Sequence, residues 1–182
     1  MVNGRLWWVA FVLVLGVGLA VGSAPAQAAC TVTSGTSGND ILSGGSGADC
    51  IYGLDGDDTI NGNDGDDQLD GGNGADTMNG GFGLDNLVGA SGVDNLAGGP
   101  NADTVDGWTE NDTVAGGPGN DNVYGYSGSD DVSGNDGNDN LYGESENDTL
   151  HGGAGTDYVD GGNGTDTCDT GESYFSCESI IP

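Results

Sequence analysis

The chain has 182 residues, of which 30 are aspartate or glutamate and one is lysine or arginine, so its formal net charge at pH 7 is -29. This charge excludes nucleic acid and anionic membranes as partners, because both would repel the chain. Glycine accounts for 39 residues, which indicates a backbone that turns often and packs closely.

The start of the chain differs from the rest. A short segment containing Arg5 precedes an apolar run over residues 6–22, and the small residues that follow end in an Ala-x-Ala pattern at Ala28. These features predict a secretory signal peptide over residues 1–28, cleaved after Ala28, and therefore a secreted, extracellular protein. The alternatives are an uncleaved membrane anchor, for which the apolar run is barely long enough, and a lipoprotein acylated at Cys30.

Residues 35–169 form fifteen consecutive nine-residue units without an insertion or a deletion. The clearest unit is Gly-Gly-Ser-Gly-Ala-Asp-Cys-Ile-Tyr at 44–52. Position one is glycine and position six is aspartate in all fifteen units, position four is glycine in twelve, and position eight is aliphatic in fourteen. The last unit has Cys168 at position eight. A fixed period with fixed chemistry at each position indicates a repeat architecture.

Each unit predicts a tight turn followed by a short strand. Glycines at positions one, two and four allow positive φ, so the first six residues can turn tightly and point carbonyl oxygens inward. The last three residues, as in 59–61, alternate polar, apolar and polar, which is the period of a strand with one residue facing inward. A single aliphatic side chain cannot form a core, so the units must stack into a solenoid with two units per coil.

Two units per coil place the aspartates of alternate units on opposite edges of the solenoid. Successive coils lie about 4.8 Å apart, and carboxylates at that spacing repel each other unless a cation lies between them. A hard divalent cation with about six to eight oxygen ligands fits this arrangement better than Mg2+, which demands a tight octahedron. The predicted metal-binding residues are Asp40, Asp58, Asp76, Asp94, Asp112, Asp130, Asp148 and Asp166 on the edge formed by odd-numbered units (the odd edge), and Asp49, Asp67, Asp85, Asp103, Asp121, Asp139 and Asp157 on the other (the even edge).

These positions resemble the haemolysin-type, or RTX, calcium-binding nonapeptide repeat over about three-quarters of the chain. The resemblance implies an all-β fold, a right-handed parallel β-roll or β-solenoid, in which the position-six aspartates and the turn carbonyls bind Ca2+ between successive coils. Ladders of eight and seven turns would offer up to seven plus six, or thirteen, sites. Thirteen filled sites would bring 26 positive charges to 30 acidic residues, so the metal is expected to be part of the fold.

Some turns depart from the repeat pattern. Glu110 and Glu146 replace the position-four glycine on the odd edge, and Asn101 is a milder departure on the even edge. Because glutamate lacks the freedom of glycine at positive φ, we expect distorted turns and weaker calcium binding around the two glutamates. On this basis Asp121→Ala should raise the calcium needed for folding more than Asp112→Ala does.

The four cysteines lie at the two ends of the repeat array, which agrees with an oxidising compartment. Cys30 lies about one coil before Cys50, and Cys168 and Cys177 occupy the inward-facing position of consecutive units. We predict the disulfides Cys30–Cys50 and Cys168–Cys177, with metal binding by these cysteines as the alternative. The predicted organisation is a signal peptide at 1–28, an N-terminal cap at 29–34, the β-roll at 35–169 and a C-terminal cap at 170–182.

The sequence predicts no catalytic site. His151 is the single histidine, no motif places a nucleophile beside it, and the aspartates are spaced for metal rather than as a catalytic pair. We therefore expect a monomeric, non-enzymatic protein that binds multiple Ca2+ ions. The alternative is a cell-surface structural or adhesive protein that uses the calcium-rigidified roll as a spacer and presents Trp108 and Tyr126 to a protein or glycan partner.

Overall fold

The computed structural model describes residues 30–169, 173–175, 177 and 179–181. Every regular element within these ranges is a β-strand. No helix in the same ranges has the length and apolarity needed to cross a membrane. The predicted signal peptide lies outside the described residues, as do residues 170–172, 176, 178 and 182 of the predicted C-terminal cap.

The strands, numbered in chain order, follow the repeats. β1 to β18 span Thr31–Ser34, Ile41–Ser43, Asp49–Asp55, Thr59–Asp64, Gln68–Asn73, Thr77–Phe82, Asn86–Ser91, Asn95–Ala97, Thr104–Thr109, Thr113–Pro118, Asn122–Ser127, Asp131–Asp136, Asn140–Ser145, Thr149–Ala154, Tyr158–Asp160, Thr167–Asp169, Ser173–Phe175 and Ser179–Ile181.

The strands form two parallel sheets of nine strands each. The odd-numbered strands pair in chain order to form one sheet (the odd-strand sheet), and the even-numbered strands form the other (the even-strand sheet). Within the repeat array, residues eighteen positions apart are register partners on adjacent parallel strands, as Ile60 and Met78 are. This confirms the predicted all-β parallel solenoid with two nonapeptides per coil.

The core is a double column of position-eight side chains enclosed between the two sheets. From Ile51 to Cys168, each of these side chains is at most 2% exposed. Each coil adds only two such side chains, so the array depends on stacking for its burial of apolar surface.

The strands are longer than the three residues predicted. In β4, Thr59–Asp64, pairing continues into the next unit, where Asn63 is the partner of Gly81. Left-handed φ values at these position-two residues, 77° and 104°, bend the strand while the pairing is kept. The predicted six-residue turn is therefore too long, because the glycine-rich backbone at positions one to three finds hydrogen-bond partners in the adjacent coil.

One disulfide lies at each end of the repeat array. Cys30 is bonded to Cys50 with their Cα atoms 5.5 Å apart, and Cys168 is bonded to Cys177 with their Cα atoms 6.1 Å apart. Both pairings are the predicted ones, and the buried Cys168 also closes the core column.

Candidate metal centres along the two edges

An unbroken ladder of aspartates runs along each edge of the solenoid. The backbone N–H of each position-six aspartate donates a hydrogen bond to Oδ1 of the aspartate one coil later, as Asp103 does to Asp121 at 2.8 Å. Seven such bonds join the eight aspartates of the odd edge and six join the seven of the even edge, all between 2.7 and 3.0 Å. The structure therefore brings all fifteen predicted residues into the two ladders.

The other carboxylate oxygen, Oδ2, is the feature that points to a cation. At twelve aspartates of the described array this atom is buried and has no hydrogen-bond partner. A buried carboxylate oxygen that nothing satisfies is costly, and the same cost recurs coil after coil. The twelve are Asp58, Asp67, Asp76, Asp85, Asp94, Asp103, Asp112, Asp121, Asp130, Asp139, Asp148 and Asp157.

The first aspartate of each edge differs from these twelve. Oδ2 of Asp40 accepts a hydrogen bond from the N–H of Thr36 at 2.6 Å, and Oδ2 of Asp49 accepts one from the N–H of Gly45 at 2.6 Å. In each case this oxygen is satisfied by a donor from the residue's own turn. As the first member of its edge, each of the two aspartates donates its N–H to the ladder, and no described aspartate precedes it to donate to its Oδ1.

The position-one glycines leave open the space beside Oδ2. A Cβ atom on Gly62 would lie closer than 3.0 Å to both Oδ2 of Asp67 and the carbonyl oxygen of Gly80, one coil later. Gly53 has the same two kinds of neighbour, from Asp58 and Gly71. Carboxylate and carbonyl oxygens are the ligands that Ca2+ prefers, so the residues present fit that ion.

Side chains alone do not make a metal site here. Within the described ranges, no group of three or more His, Cys, Asp or Glu side chains is arranged to hold a metal. Each ion would therefore take most of its ligands from backbone carbonyls of adjacent turns and few from carboxylates. A search for acidic clusters would miss such sites, whereas the nine-residue period reveals them.

The two glutamate-containing turns keep the geometry of the other turns, so the predicted distortion was wrong. Glu110 and Glu146 adopt φ values of 73° and 78°, in the left-handed region that glycine favours. Asp112 beside Glu110 keeps both of its ladder hydrogen bonds, each 2.8 Å long. Asn101 on the even edge also adopts a positive φ, of 94°.

The side chains of the two glutamates explain why the turns tolerate them. Oε2 of Glu110 accepts a hydrogen bond from the N–H of Gly92 at 3.0 Å, and Oε2 of Glu146 accepts one from the N–H of Gly128 at 3.1 Å. In both cases the donor belongs to the turn one coil earlier. These contacts offset the cost of left-handed φ at a residue with a Cβ atom.

Because the ladder is regular, Asp112→Ala and Asp121→Ala should raise the calcium midpoint of folding by about the same factor. Each substitution removes a buried Oδ2 from the middle of its edge, and each lost ion removes the same ligand-linked stability. The midpoint can be followed by circular dichroism during calcium titration. Asp136→Ala, which removes an exposed carboxylate outside the ladders, is the control. A raised midpoint for Asp121→Ala alone would restore the interpretation of a weak odd edge.

Burial raises the pKa of many ladder carboxyls, and repulsion between neighbouring carboxylates adds to this, while the hydrogen bond from the backbone N–H opposes it. The pKa rises to about 7 for Asp103, Asp112 and Asp148, and to about 6 for Asp76, Asp85 and Asp121. Without a cation, part of each ladder therefore holds protons near neutral pH.

These pKa values predict that acid favours the calcium-free fold. The folded-state pKa values of about 6 to 7 exceed the usual aspartate pKa of 3.8, so the folded chain binds more protons than the unfolded chain at pH values between these limits. The resulting stability is fully present below pH 4 or so and is lost as the pH rises through 7. We expect more β-structure in calcium-free protein at pH 5 than at pH 8, measured by circular dichroism. A signal that is independent of pH would contradict this.

Comparison with known proteins identifies the repeat. The family model of the RTX calcium-binding nonapeptide repeat (4 copies) matches residues 34–60, 52–87, 79–114, 88–122, 109–140 and 133–168. These overlapping matches together span residues 34–168, about three-quarters of the chain. No curated protein matches the chain.

Proposed function

Since the chain belongs to the RTX calcium-binding nonapeptide-repeat family, we propose that it is a secreted, non-enzymatic protein whose repeat array folds as it binds many Ca2+ ions between stacked turns. The observation that carries this proposal is the buried Oδ2 atom that lacks a hydrogen-bond partner at twelve ladder aspartates in the described array. Ca2+ would satisfy these oxygens together with turn carbonyls.

The number of proposed sites follows from the ladders. Each N–H to Oδ1 hydrogen bond joins two consecutive turns on one edge, and there are seven on the odd edge and six on the even edge. We place one ion in each such interval, or up to thirteen in all. All fifteen position-six aspartates then border at least one site.

The charge balance supports extensive occupancy. The single basic residue, Arg5, lies in the proposed signal peptide, so the remaining chain has 30 acidic residues and no lysine or arginine. Thirteen divalent ions would supply 26 positive charges against these 30. An array with few ions would keep a self-repulsion that disfavours the compact state.

Export and the absence of catalysis are part of the proposal. Two disulfides support an oxidising compartment, in agreement with the signal peptide proposed from sequence. The ladder aspartates accept backbone hydrogen bonds, and His151 lies beside two carboxylates, Asp131 and Asp169. The regular spacing of the ladder carboxylates favours metal binding over a catalytic role.

Calcium stoichiometry tests the proposed function. Equilibrium dialysis of the purified protein against Ca2+, followed by elemental analysis, should find many ions per chain, approaching thirteen at saturation. Asp121→Ala should lower this count, and the exposed control Asp136→Ala should not. A saturating count of one or two ions, or equal retention of Mg2+, would contradict the proposal.

Export is tested separately. The protein recovered from the culture medium should begin at residue 29 when its intact mass is measured. An intact start at Met1 in the membrane fraction would contradict export while leaving calcium binding untouched.

A further inference from the structure

A row of aromatic rings lies on the odd-strand sheet and begins at Trp108, beside the odd-edge turn that contains Glu110 and Asp112. Trp108 contacts Tyr126, Tyr126 contacts Tyr124, Tyr124 contacts Tyr142, and Tyr142 contacts Tyr158, with ring centroids 4.8 to 5.6 Å apart. We call these five residues the aromatic row. Trp108, at one end, is 49% exposed. Neither the core nor the aspartate ladders use these rings.

Carboxylates are interspersed with the rings. Asp106 is the register partner of Tyr124, and Glu144 is the register partner of Tyr126. Both charges act on the rings, because they add to the effect of burial in raising the pKa of Tyr124 and Tyr126. Oδ1 of Asp106 is buried and has no hydrogen-bond partner in the described part of the chain. Asp106 as a whole is only partly buried, so a donor from another molecule can approach its side chain.

The orientation of the rings limits what can bind. Tyr124 and Tyr142 are stacked, with 8° between their planes, so they largely cover each other's faces and leave little room for a flat sugar ring. Trp108 is different, because its register partner on the other side is the small Ala90. One face of the Trp108 indole therefore has no neighbouring ring. Trp108 also follows Asp106 by two residues in the same strand.

A planar cation suits this combination of an indole face and an unsatisfied carboxylate. An arginine guanidinium can stack on an aromatic ring and donate hydrogen bonds to a carboxylate at the same time, whereas the compact ammonium of lysine cannot do both. The guanidinium must come from another molecule, because no lysine or arginine follows Arg5 in the sequence. For the same reason, residues 30–182 of a second copy of this chain cannot supply it.

We propose that the aromatic row is a docking surface for arginine side chains of a partner protein, with Trp108 and Asp106 receiving the first of them. The row crosses from β9 to β15, which is three coil spacings or about 14 Å, and this length accommodates about four residues of an extended segment, of which about two face the row. Glu144 and Asp160 lie along the same face and supply further negative charge, and the Oδ2 of Asp160 accepts a hydrogen bond from the Tyr158 hydroxyl at 3.4 Å.

Peptide binding tests this docking surface. Two fluorescein-labelled peptides, one alternating arginine with serine and one alternating lysine with serine, are titrated with the calcium-loaded full-length protein at 150 mM salt, and binding is followed by anisotropy. The arginine peptide should bind about tenfold more tightly than the lysine peptide of equal charge. Trp108→Ala and Asp106→Asn should each weaken the arginine peptide by about fivefold or more. The calcium midpoint by circular dichroism shows that each variant still folds.

Two control substitutions lie outside the row. Phe82→Ala removes an aromatic ring that is 62% exposed in the even-strand sheet, and Asp136→Asn removes one exposed charge there. Neither should change the affinity for the arginine peptide. Equal affinities for the two peptides, no binding of either, or no effect of Trp108→Ala would overturn the proposal, because attraction to an acidic chain does not depend on one ring. Binding of neutral chitohexaose that is unaffected by Asp106→Asn would also overturn it and assign the row to a glycan.

Discussion

Removal of calcium is expected to unfold the repeat array at pH 7.5. In excess chelator the circular dichroism spectrum should be that of a coil, and calcium should restore β-structure in a steep, cooperative titration. Each site would contribute about 2.7 kcal/mol when Ca2+ is a hundred times its dissociation constant. Even a few sites together therefore match the roughly 5–15 kcal/mol of net stability of an ordinary domain. We expect the titration to be steep because neighbouring sites share a turn. An ion that orders one turn also orders half of the next site on the same edge.

Mg2+ at the same concentration is the matched control for this experiment. It should restore little structure, because it demands a tight octahedron and gives up its waters reluctantly, whereas the carbonyl oxygens here are set by the spacing of the coils. A folded spectrum in excess chelator, with no metal retained by elemental analysis, would contradict metal-dependent folding. Equal refolding by Mg2+ would instead point to simple charge neutralisation.

Gly62→Ala is expected to destabilise the array strongly, although it adds only one methyl group. Its added Cβ would lie closer than 3.0 Å to the carbonyl oxygen of Gly80 and to Oδ2 of Asp67. A backbone carbonyl in the next coil cannot move without disturbing that coil, so we expect a loss at the upper end of the roughly 1–3 kcal/mol typical of overpacking. The calcium site that we propose at these oxygens would be lost as well, which should raise the calcium midpoint further.

Gly47→Ala is the control for Gly62→Ala, because Gly47 is a position-four glycine of another unit on the same edge. A Cβ on Gly47 meets nothing within 4 Å, so this change should alter stability by less than about 0.5 kcal/mol. Both variants can be compared by thermal melting at one fixed calcium concentration and by the calcium midpoint. Similar values for the two would show that the coils can separate locally to admit a methyl group, and that the close approach at position one is not required.

The period of the sequence was sufficient to predict the parallel solenoid, the two aspartate ladders and both disulfides. The sheets, the ladders and the Cys30–Cys50 disulfide depend on which residues lie about one coil apart. Cys168 and Cys177 are instead nine residues apart, at the same position of consecutive units, so the repeat length predicts this pairing too. Val32, for example, is the register partner of Cys50, which leaves Cys30 close enough to form its disulfide with Cys50. The residue type at each position of the repeat then determines which side chains are buried, as the aliphatic residues at position eight are.

Other features depend on interactions that composition does not reveal. Glycine-rich positions one to three look like turn residues, yet in strands such as Thr77–Phe82 they continue the sheet because the neighbouring coil offers partners for their backbone. Glu110 looks like a defect in its own turn, but its carboxylate binds the N–H of Gly92 in the previous coil. The different roles of the two carboxylate oxygens of each aspartate likewise emerge only when two coils are stacked.

The ladder hydrogen bonds give the solenoid a direction. Every coil donates its aspartate N–H to the carboxylate of the coil that follows, from Asp40 to Asp58 at the first step of the odd edge and from Asp148 to Asp166 at the last. Trimming coils from the N-terminal side exposes a carboxylate oxygen, which water solvates readily. Trimming from the C-terminal side instead leaves a backbone N–H without its carboxylate acceptor. The array is thus a polar stack that exposes an acceptor when it is shortened at one end and a donor when it is shortened at the other.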